Sequence, residues 1–183
     1  VSQSGNLLLN SNESWTSTAY MSKTYRMAEK LQAGKTYTFV IDWQRGGGVP
    51  HSYVPIARYN GGSFRFMNDS PFLYNSKLKA WMCTFTVKQV SEMNEVELTA
   101  YDSSNYNIHL YRYGSDEPGQ NNPSSTAQVS ATFATLVKGG IPLSDWQPHY
   151  SETQKQIDDK ADSNLTQEQL NMLQEKNALL RAE

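Results

Sequence analysis

Two hydrophobic periods divide this chain. Up to about residue 149 apolar side chains recur at every second position, the period of a half-buried β-strand. "KTYTFVIDW" sets Tyr37, Phe39, Ile41 and Trp43 on one face and Thr38, Val40 and Asp42 on the other. "AWMCTFTV" puts Trp81, Cys83, Phe85 and Val87 opposite Met82, Thr84 and Thr86. "EVELTAYD" reads the same way, with Val96, Leu98 and Ala100 against Glu95, Glu97, Thr99 and Tyr101. In "YNIHLYRYG" Tyr106, Ile108 and Leu110 are in phase, and "QVSATFATLV" closes the series with Val129, Ala131, Phe133 and Val137.

Turn residues separate these runs: Ala33-Gly34, Gly46-Gly47-Gly48, Asn60-Gly61-Gly62, Asn68-Asp69 and the segment from Pro118 to Pro123. Short alternating runs with Gly, Asn and Pro between them predict an antiparallel β-sandwich. "GSDEPGQNNPSS" is the longest polar insertion and reads as a loop.

Beyond Pro148 the period changes. In "SNLTQEQLNMLQEKNALLRAE", Thr166 followed by Gln169 has the pattern of a helix-capping box. Leu170, Leu173, Asn177 and Leu180 then follow at a and d spacing of a heptad, with Asn177 at an a position where it fixes register. Tyr150, Gln154, Ile157 and Ala161 run 4, 3, 4, one residue out of phase with the later stripe, so a break is expected between Asp162 and Thr166. A lone helix with so narrow a stripe is marginal in water, and two apolar positions per heptad suit a coiled coil better than a back-folded helix. The expected organisation is a β-sandwich over 1–149 and a helical coiled-coil stalk or linker over 150–183, with self-association through Leu170, Leu173, Asn177 and Leu180.

Composition narrows the function classes. Among 183 residues the formal charge is −2 and the pI about 5.9, which argues against nucleic acid as a partner because phosphate binding needs a basic surface. Mean hydropathy is −0.65, and no apolar run approaches the ~18–20 residues of a membrane span. Cys83 is the only cysteine, which rules out an intrachain disulfide and a cysteine zinc site. Val1-Ser2-Gln3 lacks an initiator Met and Glu183 falls inside a helical pattern, so a fragment of a longer chain is expected.

Four stretches, "NLLLNSNESW" from Asn6, "LQAGKTYTFVIDW" from Leu31, "CTFTVKQVSE" from Cys83 and "LVKGGIPLSDWQPH" from Leu136, resemble the carbohydrate-binding-module-like jelly rolls of tail proteins from bacteriophages of Gram-positive hosts. In that family an "AGKTYT" element enters a core strand and a "DW-x-P" element closes the domain beside its N-terminus. The helical tail is similar to linkers of tail fibres and receptor-binding proteins. The resemblance implies a jelly-roll β-sandwich and non-catalytic adhesion to host cell-wall polysaccharide. It further implies other tail or baseplate proteins as partners and a place on the virion at the tail tip, outside the host cell; the homo-oligomer is expected to be a trimer. An architectural spacer or protein-docking domain without sugar binding is the alternative. No cofactor is expected. Calcium, which such modules sometimes carry, has no supporting motif, since Lys138-Gly139-Gly140 stands where an acidic residue usually precedes the closing Gly.

Saccharide recognition without catalysis needs aromatic faces and planar polar groups. The 11 Tyr and 4 Trp supply candidates. Trp43 ends a core strand and enters the Gly-rich "QRGGGVPHSY", where His51 and Tyr53 follow. Tyr101 lies on a polar face and Tyr106 follows a short turn, and binding residues concentrate in such places. The saccharide-binding set is therefore Trp43, His51, Tyr53, Tyr101 and Tyr106, with Trp146 and Trp81 read as structural. Glu95 and Glu97 are the nearest thing to a catalytic carboxylate pair, but an outward polar strand face accounts for both, and no enzyme is expected. His51, His109 and His149 show no metal-ligand spacing.

Overall fold

Where the alternation is strict, the chain is extended. A computed structural model describes residues 5–19, 21–45, 56–59, 72–104, 106–111, 128–164 and 167–182. It forms two compact units, Val1–His149 and Tyr150–Glu183. The first carries strands β1 (Leu8–Leu9), β2 (Trp15–Ser17), β3 (Met21–Met27), β4 (Thr36–Ile41), β5 (Gln44–Arg45), β6 (Ile56–Tyr59), β7 (Leu73–Asn75), β8 (Ala80–Thr86), β9 (Asn107–Tyr111), β10 (Val129–Ala131) and β11 (Ala134–Lys138), with helix α1 (Glu95–Tyr101) between β8 and β9. The second consists of α2 (Tyr150–Asn164) and α3 (Gln167–Ala182).

Two four-stranded sheets, β1-β3-β9-β6 and β11-β4-β8-β7, enclose the core in a β-rich, sandwich-like arrangement, and a small sheet, β2-β10-β5, adds to it. Every pairing among the described residues is antiparallel. From the first sheet Leu8, Tyr25, Met27, Ile108 and Leu110 point inward, and from the second Phe39, Ile41, Cys83, Phe85 and Leu136. The Tyr25 ring lies 6.4 Å from Phe39, and Tyr37 stacks on Phe85 at 5.9 Å. The one-residue alternation predicted for "KTYTFVIDW" and "AWMCTFTV" is what places these side chains together.

Two expectations for strands are corrected. "EVELTAYD" is helical: Asn94 accepts from Glu97 N at 2.8 Å while Glu97 Oε1 accepts from Asn94 N at 3.3 Å, a reciprocal capping box that starts α1. Glu97 is buried and held by Lys88 Nζ at 2.9 Å, so its carboxylate is a cap and ion-pair partner rather than part of an outward strand face. "QVSATFATLV" is two strands, not one. The Asp42 carboxylate takes the N–H groups of Thr132 at 2.7 Å and Phe133 at 3.0 Å, and the Thr132 hydroxyl as well. That clamp breaks the run after Ala131 and resets its phase, so Ala134 and Leu136 enter the core cluster and Phe133 is only half-buried, while Val137 is buried as expected.

Gly34 terminates the approach to β4 with φ +78°, and a Cβ there would lie 2.3 Å from the Gln89 side-chain nitrogen. Its N–H bonds Val87 O at 2.8 Å, joining the ends of β4 and β8. A left-handed backbone costs an L-residue ~1–2 kcal/mol before any steric contact. Gly34→Ala is therefore expected to lower the unfolding free energy by about 1–3 kcal/mol, read as a lower urea midpoint at unchanged slope.

Candidate functional site

After β11 the chain turns at Gly139, which has φ +86° and bonds Thr36 O through its N–H at 2.8 Å. Thr38 Oγ1 donates to Gly139 O at 2.8 Å. The segment that follows, 141–149, buries Leu143 and His149. Its anchor is the buried Asn6. Asn6 Nδ2 donates to Ser11 Oγ at 3.1 Å and to Gln147 O at 2.9 Å, and Asn6 Oδ1 accepts from Leu8 N and Leu136 N, both at 3.1 Å. Both donors and both acceptor positions of one amide are used. Trp146 Nε1 donates to the same Ser11 Oγ at 3.0 Å, which fixes the plane of the indole.

Between this closing segment and the outward side of β4 and β11 lies a recess of about 160 Å³ lined by Val40, Leu78, Phe133, Thr135, Leu143, Ser144, Asp145 and Trp146. Val40, Thr135 and Leu143 are buried, Phe133, Trp146 and Leu78 are half-buried, and Ser144 and Asp145 are exposed. The recess thus combines two aromatic rings with a carboxylate and hydroxyls. Phe133 reaches it because the Asp42 clamp turned the chain, and Trp146 because Ser11 holds its ring nitrogen.

Of the residues expected to bind saccharide, Trp43, Tyr101 and Tyr106 do not line this recess. Trp43 is 1% exposed, its ring edge-on to Trp15 at 5.8 Å, so it is a core side chain with no face open to a ligand. Burial follows from its phase with Tyr37, Phe39 and Ile41; the Gly-rich continuation does not release it. Tyr101 is half-buried at the end of α1: its hydroxyl accepts from Ala33 N at 2.9 Å, and Lys30 Nζ sits 3.9 Å over its ring. Tyr106 is half-buried against the core. His51 and Tyr53 lie outside the described residues, as do the Gly46-Gly47-Gly48, Asn60-Gly61-Gly62, Asn68-Asp69 and Pro118–Pro123 turns, the polar "GSDEPGQNNPSS" insertion and Thr166.

Titration behaviour follows burial. The Cys83 thiol, raised from 9.0, is pushed up to about 12 by burial, which makes it unreactive at neutral pH. Burial also raises the Tyr25 phenol, against an opposing hydrogen bond from Trp15 Nε1 at 2.8 Å. The His109 imidazole is held below its ordinary value by burial while Nδ1 faces the Thr24 hydroxyl at 2.9 Å. Lys138 is raised by its hydrogen bond to Glu29 at 2.9 Å. Among the described residues no group of three or more His, Cys, Asp or Glu side chains gathers around one point, and no helix is long and apolar enough to cross a membrane.

In the helical unit Leu170 is half-buried, while Leu173 (47%) and Leu180 (62%) are exposed, as are Asn177 and, on α2, Ile157 (56%). Comparison with protein-family models, with curated proteins and with solved structures finds no match.

Sequence reasoning passed over Phe133, Asp145 and the groove-lining role of Trp146. The signal was present in "SDW", where a carboxylate and a hydroxyl adjoin a large ring, but Trp146 alone suggested a plug. Trp43 Nε1 is buried with no hydrogen-bond partner among the described residues. Trp43→Phe removes that unpaired donor and is expected to cost no more than about 1–2 kcal/mol, whereas Trp43→Ala leaves a cavity and costs about 3–5 kcal/mol. Chemical unfolding of the two variants side by side checks the difference.

Proposed function

We propose that this chain is a non-catalytic adhesion module of a phage tail fibre or baseplate protein, with a jelly-roll domain that binds host cell-wall saccharide. In this reading the helical segment assembles copies of the chain through a coiled coil, as a homotrimer on the virion's tail tip. The observation that carries it is the exposure of Leu173 and Leu180 at heptad spacing on α3, with Ile157 of the separate upstream stripe also exposed on α2. Apolar side chains at heptad spacing find their burial in copies of themselves. Weak single-site contacts then add up, because a second module on the same stalk binds at an effective concentration far above that in solution. The β-rich unit supports the reading through its resemblance to carbohydrate-binding-module-like domains, and the mixed aromatic and polar recess beside Trp146 offers a surface of suitable chemistry.

One observation favours a second reading, in which the β-unit is a spacer or protein-docking domain of the tail. Trp43 is covered by its own module, and Tyr101 is engaged by Ala33 and Lys30, so neither is free for stacking.

Two measurements separate them. Light scattering of the full chain is expected to give three times the chain's 20.7 kDa, and residues 1–149 alone a monomer. Purified cell-wall polysaccharide is expected to bind the full chain at least 10-fold more tightly than residues 1–149, as multivalency requires. A monomeric full chain removes the stalk, and an assembled chain that binds no polysaccharide leaves the architectural reading.

A further inference from the structure

Among the described residues a recess lies between the closing segment and the outward side of β4 and β11. Its floor is apolar and buried, formed by Val40 and Leu143 with Thr135 beside them. Phe133 and Trp146 supply two rings in the wall: the Phe133 backbone is held by the bond from its N–H to Asp42 Oδ1 at 3.0 Å, and the Trp146 ring by its indole bond to Ser11 at 3.0 Å. The indole therefore needs no ordering when a ligand arrives, which lowers the entropic cost of binding. At the rim the Asp145 carboxylate and Ser144 hydroxyl are exposed and have no hydrogen bond or ion pair among the described residues.

The size of the recess limits the occupant. At about 160 Å³ it is smaller than the ~300–1,000 Å³ clefts that enclose drug-sized ligands. It suits one six-membered ring. A fixed ring face opposite the C–H surface of a sugar, with a carboxylate and hydroxyl at its edge to take and give hydrogen bonds, matches the two-faced chemistry of a pyranose. We infer that this recess is a monosaccharide-binding subsite in which Trp146 and Phe133 contact the sugar ring and Asp145 accepts hydrogen bonds from its hydroxyls. The inference rests on the saccharide-binding reading and gives it a location that the Trp43 and Tyr101 positions do not.

Asp145 and Ser144 are exposed, so substitutions there leave the core and the Asn6 anchor in place. The test uses the full chain and two probes, purified cell-wall polysaccharide and, by saturation-transfer NMR, glucose and N-acetylglucosamine. Asp145→Ala is expected to weaken polysaccharide binding at least 10-fold with an unchanged unfolding midpoint, and to abolish saturation transfer to the monosaccharides. Ser144→Trp, which fills the rim, is expected to do the same. Wild-type binding of polysaccharide that both variants retain overturns the subsite while leaving the saccharide reading intact. Absence of polysaccharide binding by the wild-type chain overturns both. Capture of N-acetyl-arginine amide in preference to either sugar, lost in Asp145→Ala, overturns the subsite by assigning the recess to a cationic side chain.

Discussion

The β-unit depends on one buried amide. Asn6 is 1% exposed and spends its whole hydrogen-bonding capacity on three separate parts of the chain: its own neighbourhood at Leu8 and Ser11, strand β11 at Leu136, and the closing segment at Gln147. A buried polar group that is fully satisfied stabilises and specifies; one left half-satisfied costs more than an apolar replacement. Ser11 extends the network to Trp146, and Ser11 O takes the Ala134 N–H at 2.8 Å. The N-terminal segment, the last strand and the closing segment are thereby held as one structure.

That arrangement explains why the recess exists. The closing segment would otherwise be an ordinary exit from β11. Tied to Asn6 and Ser11, it runs beside the outward side of β4 and β11 and carries Ser144, Asp145 and Trp146 to the place where the Asp42 clamp delivers Phe133. Two polar groups that are nearly buried, Asn6 and Asp42, therefore set the position of the aromatic rings without touching any ligand. The proposed adhesive chemistry belongs to the surface; its geometry belongs to these two anchors.

Much of the β-rich architecture was legible in the alternation, because β8 buries Trp81, Cys83 and Phe85 with less buried positions between them and a one-residue slip would turn that face outward, while β4 is buried on both faces. α1 was missed for a physical reason. Val96, Leu98 and Ala100 alternate as a strand would, yet Asn94 and Glu97 form a capping box, and that local device outweighed the alternation. The break at Thr132 was hidden because its cause, Asp42, lies ninety positions away in the chain and looked like an outward polar residue. Trp43 failed as a ligand candidate because the Gly-rich sequence after it drew attention from its phase. The helices α2 and α3 lie where the change of period after Pro148 predicted helix.

The dependence of the β-unit on Asn6 is open to direct measurement. Replacing it in Asn6→Ala leaves the N–H groups of Leu8 and Leu136 and the carbonyl of Gln147 without their partner. At ~1–3 kcal/mol for each buried group left unpaired, partly relieved by water, the unfolding free energy is expected to fall by about 2–4 kcal/mol. Equilibrium urea unfolding of the wild-type chain and Asn6→Ala gives the answer. A loss of that size, with the slope unchanged, agrees with the account; a variant within about 0.5 kcal/mol of wild type, the range of an ordinary surface substitution, contradicts it.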